Sequence, residues 1–188
     1  MGVDDRLFRW IHALWYPAIL GTMIGALLSQ RPPSLTTLCW ALVLIAYFAV
    51  QYGEGLGRED RYNMREFCFD VVEIVLMVAA FSILGLFSIW GETLPSLIEA
   101  LRGGPAPILV EIGRRSILGG TFFMPVIARA MRREIRQEPH KTVLSCLATG
   151  VILLLGAGLV SAALVAFFLA IHVVALFKPG GRPAKGAA

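Results

Sequence analysis

Charge, cysteine and reaction motifs are all scarce in this chain. Only 16% of its 188 residues are charged and 57% are hydrophobic, with a mean hydropathy of +0.72. Soluble domains carry about 25% charged residues, so this composition argues for a membrane protein and against an ordinary soluble domain. Cysteine occurs three times, as Cys39, Cys68 and Cys146, in no CxxC pair. That number and scatter support neither a disulfide framework nor a zinc site, and leave these residues as small apolar packing groups. No GxSxG elbow, HExxH helix or GxxxxGK[ST] phosphate loop occurs, so nothing identifies a reaction and the reading favours a protein that is not an enzyme. The basic residues lack interleaved aromatics, which speaks against nucleic acid. No small-residue cleavage signal precedes Trp15 and position six is Arg6, so the first apolar segment is read as a retained span without myristoylation.

What the chain does have is long apolar runs. A hydrocarbon core of ~30 Å takes roughly twenty helical residues to cross. The first span is expected at 11–28, opened by Trp10, Trp15 and Tyr16 at headgroup depth, with Gly21 and Gly25 forming a small-xxx-small packing stripe. SQRPPS, residues 29–34, is a turn, and a second span follows at 35–50. The segment 53–66 reads as a charged loop, and Arg58, Arg61 and Arg65 make it a candidate for the cytoplasmic side. The third span, 70–90, ends at Trp90 and holds the sharpest feature, Asp70 and Glu73 at its start. Three residues apart, they project from one helical face.

Residues 91–107 suggest a short amphipathic helix closed by Gly103 and Gly104. Residues 108–128 are long enough to cross but carry Glu111, Arg114 and Arg115, with Gly119, Gly120 and Pro125 interrupting the pattern. A fifth span, with Glu111 and Arg115 paired at i,i+4, and a re-entrant element both fit. Arg129, Arg132, Arg133 and Arg136 then recur on one face, as in an interfacial helix whose arginines meet lipid phosphates. The stretch 142–177 has no polar turn. It reads as one long helix crossing once, kinked at most near Gly156 and Gly158, before a basic tail at 178–188. With the N-terminus inside and 108–128 crossing, the basic segments fall on the cytoplasmic side, the tail excepted.

EFCFDVV, residues 66–72, resembles the phenylalanine–aspartate start of a span in some small bacterial membrane families, low-temperature-requirement proteins among them. The likeness covers seven residues, and those families place it at the first span, so no fold, activity or residue role is carried over.

The expected architecture is therefore all-α and polytopic: one membrane domain of four or five spans plus a basic interfacial helix. It belongs in the plasma membrane, the inner membrane if the source is bacterial. Asp70 and Glu73 suit proton relay or cation coordination, because two neighbouring carboxylates in low dielectric disfavour double ionisation. The alternative is a structural role, Glu73 pairing with Arg65 or Arg115. His12 and His172 are single and far apart in sequence, which gives no warrant for haem or any other cofactor. The leading function is channel-like or ion-handling, in a homo-oligomer. Its rival is an accessory subunit anchoring a larger membrane complex, and a membrane-embedded enzyme ranks third. The expected partners are the bilayer, its anionic lipids, and further copies or a membrane subunit.

Overall fold

The computed structural model describes residues 3–29, 34–56, 62–85, 107–132 and 139–176. Among the described residues all regular structure is helical. Helix α1 (Val3–Arg9), a π-helical segment (Trp10–Trp15) and α2 (Tyr16–Ser29) run on from one another as a single rod. Then come α3 (Leu35–Leu56), α4 (Met64–Ile83), α5 (Pro107–Arg132), α6 (Pro139–Leu155) and α7 (Leu159–Leu176). Three helices are long and apolar enough to cross a membrane: Asp5–Leu28, Leu35–Leu56 and Leu159–Leu176.

Successive rods run in alternating directions. Glu66, in the first turn of α4, meets Arg132 at the end of α5, and Lys141, at the start of α6, meets the same carboxylate as His172 near the end of α7. One end of the bundle thus gathers the start of the first rod, the end of α3, the start of α4, the end of α5, the start of α6 and the end of α7. We call it the charged end. The core between the first rod, α3 and α4 is built on Ile11, Tyr16, Trp40, Phe48, Met77 and Phe81, and it continues through Leu118, Ile152 and Val165.

Three expectations are corrected. The stretch 142–177 is not one helix: the first part stops at Leu155, Gly156 takes φ +74°, and α7 folds back along α6. A left-handed residue suffices to end a helix without any polar turn. The turn is held instead by distant side chains: Trp40 Nε1 donates to the Ala157 carbonyl at 2.9 Å, and Arg115 donates to the Leu153 and Leu154 carbonyls at 3.2 and 3.4 Å. These are acceptors a helix C-terminus leaves without internal donors.

Residues 108–128 are not interrupted. They lie within α5, which continues through Gly119, Gly120 and Pro125. Nor do the first two arginines of the stripe point outward: Arg129 is only 3% exposed and Arg132 is paired to Glu66, while Ile127 and Met131 on the opposite face are exposed. The helix is amphipathic as the spacing implied, but its charged side turns inward. Arg133 and Arg136 lie outside the described residues, as do Trp90 and the segment 91–106.

The inversion extends beyond α5, beside an apolar core and with Asp5, Arg6, Arg9 and Arg65 exposed. Leu28 and Leu154 are each 79% exposed, whereas His12, Glu66, Asp70, Glu73, Arg129, Lys141 and His172 are buried. Among the described residues, nothing lies within 4 Å of where a Cβ would stand on Gly21, Gly25 or Gly158. Gly156 does pack: an added Cβ would lie 3.0 Å from Glu111 Oε1 and Arg115 Nη2.

Candidate functional site

Helix α4 is started by Asn63, whose side-chain oxygen accepts from the amides of Arg65 (3.0 Å) and Glu66 (3.2 Å). This start fixes the helical phase. Glu66, Asp70 and Glu73, spaced i, i+4 and i+7, then share one stripe facing the bundle interior. The sequence reading took Asp70 and Glu73 but left Glu66 in the preceding loop, although the same spacing includes it.

Each carboxylate has its own surroundings. Arg132 grips Glu66 at two points, through Nε to Oε1 at 2.7 Å and through Nη2 to Oε2, with the guanidinium 6.0 Å from the Phe69 ring centroid. Asp70 Oδ2 accepts from the Tyr62 hydroxyl at 2.7 Å and lies 3.9 Å from His12 Nε2. Burial and the Asp70 carboxylate both push the Tyr62 phenol well above its ordinary range, so it stays protonated and donates. Glu73 Oε2 accepts from the Tyr16 hydroxyl at 3.4 Å.

His12 owes its position to the π segment, a wider helical turn that often marks functional sites. Its Nδ1 sits 3.2 Å from the Phe8 carbonyl. A carbonyl can only accept, so Nδ1 carries the hydrogen and Nε2 is the nitrogen aimed at Asp70. Phe8 stacks on the imidazole at 4.4 Å and Tyr16 at 5.2 Å, with Tyr62 edge-on at 5.6 Å. Helix α3 approaches closely enough that a Cβ on Gly55 would lie 2.4 Å from Nε2. Only glycine fits there.

A second group ties three helices at the same end. Glu54 Oε1 takes Lys141 Nζ at 2.9 Å and His172 Nε2 at 3.0 Å, joining α3, α6 and α7. Sequence reasoning missed this trio because its members lie up to 118 residues apart. Arg129 stands between the two groups. It lines a cleft of about 330 Å³ that also holds Asp70, Glu73 and Arg132, and a neighbouring cleft of about 380 Å³ that holds Lys141 and His172.

The remaining sequence candidates sit elsewhere. Glu111 and Arg115 pair at 2.9 Å beside the Gly156 turn, at the end of the bundle away from Glu73, with half-buried Arg114 adjacent in sequence. Glu73 therefore does not pair with Arg115. Among the described residues no group of three or more His, Cys, Asp or Glu is placed to hold a metal ion.

The fold and this site define an all-helical bundle with membrane-length apolar helices and a buried acid–histidine–tyrosine cluster at one end. Comparison of the chain with protein-family models, curated proteins and solved structures finds no match.

Proposed function

We propose that this chain is a multi-pass membrane protein of six crossings that handles protons through Asp70 and Glu73, with its charged end in the cytoplasm. The polarity inversion supports the membrane part. Large apolar side chains outside and ionisable ones inside would be costly in water but suit a lipid solvent, where charges face the bundle interior. Six alternating rods also remove the orientation conflict met in the sequence. The N-terminus, both arginine-bearing connections and the start of the basic tail then share one side, as the positive-inside rule requires.

The observation that carries the ion-handling part is the placement of Asp70 and Glu73 one above the other in the interior, each bonded to a tyrosine hydroxyl, with His12 Nε2 facing the first. Among the described residues, Glu54, Glu66, Asp70 and Glu73 are the interior acids of the charged end, and Arg129, Arg132, Lys141, His12 and His172 are its interior bases. A proton suits better than a metal cation, because two guanidiniums line the same cleft as the acids and repel any cation entering it. A proton reaches Asp70 through His12 without passing the arginines. A homo-oligomer is part of this proposal: the Gly21–Gly25 stripe is open to a neighbouring helix. The same open stripe suits a role as an accessory subunit.

Reconstituted vesicles carrying a pH gradient and an internal pH dye test the reading. Wild-type protein should dissipate the gradient, and Glu73→Gln, which keeps shape and hydrogen bonding while removing the titrating proton, should slow dissipation at least tenfold with insertion unchanged. Equal rates for both proteins, or a rate that follows the sodium or potassium gradient instead, would rule out proton handling by Glu73.

A further inference from the structure

Pro17 follows closely on the wide turn that carries His12. Inside a helix a proline ring presses on the carbonyl four residues earlier and supplies no amide hydrogen of its own. For Pro17 that carbonyl belongs to Ala13. The chain opens there into the π segment Trp10–Trp15, in which the Tyr16 amide donates to the Ile11 carbonyl, five residues back, instead of to His12. Pro17 itself is exposed, so it acts on the rod through the backbone rather than through packing.

The wider turn also sets direction. Phe8, His12 and Tyr16 are spaced four and four residues apart. In a regular α-helix each step of four overshoots a full turn by ~40°, so the three would fan apart by about 80°. Here they form a column instead: Phe8 stacks on His12 at 4.4 Å and His12 on Tyr16 at 5.2 Å. One rod thereby reaches two acids of α4, with His12 Nε2 3.9 Å from Asp70 and the Tyr16 hydroxyl 3.4 Å from Glu73. The same column brings the imidazole against Gly55 of α3.

We infer that Pro17 is the positioning residue for His12: by forcing the π turn it keeps the imidazole on the Asp70 side of the rod, from which a regular α-helix would rotate it away. The geometric role stands on the helix alone. Its importance for protons rests on the reading above, in which His12 feeds Asp70.

The test pairs Pro17→Ala with the close contact at Gly55, in the full chain in detergent. Gly55→Ala presses on the ring only while His12 points at α3, so the melting temperature it loses reports where the ring is. That loss should fall to less than half in the Pro17→Ala background. Deleting the exposed Ala13 takes ~100° out of a regular helix and returns it to within about 20° of the column. The loss should therefore reappear in Pro17→Ala lacking Ala13. In the vesicle assay Pro17→Ala should slow dissipation of the pH gradient at least tenfold, and the deletion should restore it to within about threefold of wild type. Pro17→Leu, which also supplies an amide, replaces Pro17→Ala if that variant does not fold, and deletion of the exposed Leu14 replaces that of Ala13 on the same condition. A Gly55→Ala loss that the proline substitution leaves unchanged, or that the deletion does not bring back, would overturn the positioning role. Dissipation at the wild-type rate while that loss falls would instead overturn proton entry through His12, with the role of Pro17 upheld.

Discussion

The Tyr47 hydroxyl compensates for Pro125. Proline has no amide hydrogen, so Pro125 inside α5 leaves the carbonyl four residues earlier, that of Thr121, without its helical donor. Tyr47, reaching across from α3, donates to that carbonyl at 3.1 Å. The buried hydroxyl allows α5 to continue past a proline that the sequence alone marks as an interruption. Removing the donor should cost about 1–3 kcal/mol, the range for leaving a buried polar group unsatisfied. Tyr47→Phe is therefore expected to lower the melting temperature in detergent. Pro125→Ala restores the helical amide, so the same tyrosine change should cost less than half as much in that background. Equal costs in the two backgrounds would show that the Tyr47–Thr121 bond does not stand in for the missing amide.

Gly55 and His12 form a second coupled pair. A methyl group at position 55 would overlap the imidazole at 2.4 Å, and Phe8, Tyr16, Tyr52 and Tyr62 packed around that ring leave it little room to move. Gly55→Ala should destabilise the bundle by about 1–3 kcal/mol, the typical cost of overpacking. Combined with His12→Ala, which removes the obstructing ring, the added penalty of Gly55→Ala should largely vanish. A thermal-shift double-mutant cycle measures this. Additive losses would mean that the two residues do not meet.

How much of this was legible in the sequence follows from the range of the interactions involved. Local periodicity showed that the chain is helical, located the apolar segments and put Asp70 and Glu73 on one face, because those features repeat within a few residues. Periodicity could not say which way a face points. Arg129 and Arg132 of the arginine stripe were expected to face lipid, yet both turn inward, Arg132 to a partner, Glu66, that lies 66 residues earlier. The hairpin of α6 and α7 was missed for a related reason. Its turn needs no polar residue of its own when Trp40 and Arg115 supply the donors from other helices. The Glu54–Lys141–His172 trio likewise exists only once three helices meet.

That turn makes a sharp local prediction. Gly156 adopts φ +74°, where a side chain costs roughly 1–2 kcal/mol, and an added Cβ would also press on Glu111 and Arg115. Gly158, two residues on, has nothing within 4 Å. Gly156→Ala should lower the detergent melting temperature by several degrees, whereas Gly158→Ala should leave it within the scatter of wild type. Equal effects at the two positions would mean that the backbone at 156 is not what closes the hairpin.

The hairpin also fixes the sidedness of the chain in a way that one long helix would not. If α6 and α7 fold back on each other within a bilayer, His140 and the residues following Leu176 lie on one side and Gly158 on the other. With the charged end in the cytoplasm, Gly158→Cys and Ser34→Cys should react in intact cells with a membrane-impermeant maleimide. His140→Cys and Arg6→Cys should react only after the membrane is opened. Gly158 suits this test because nothing packs against it, and Ser34 because it is exposed. The native Cys68 and Cys146, both exposed on the bundle, must first be replaced by serine or alanine, and Cys39 with them. Labelling of His140→Cys and Gly158→Cys from the same side would contradict the hairpin crossing. The reverse pattern, with His140→Cys and Arg6→Cys open to the outside, would keep the bundle but invert it, against a rule that places clustered arginines in the cytoplasm.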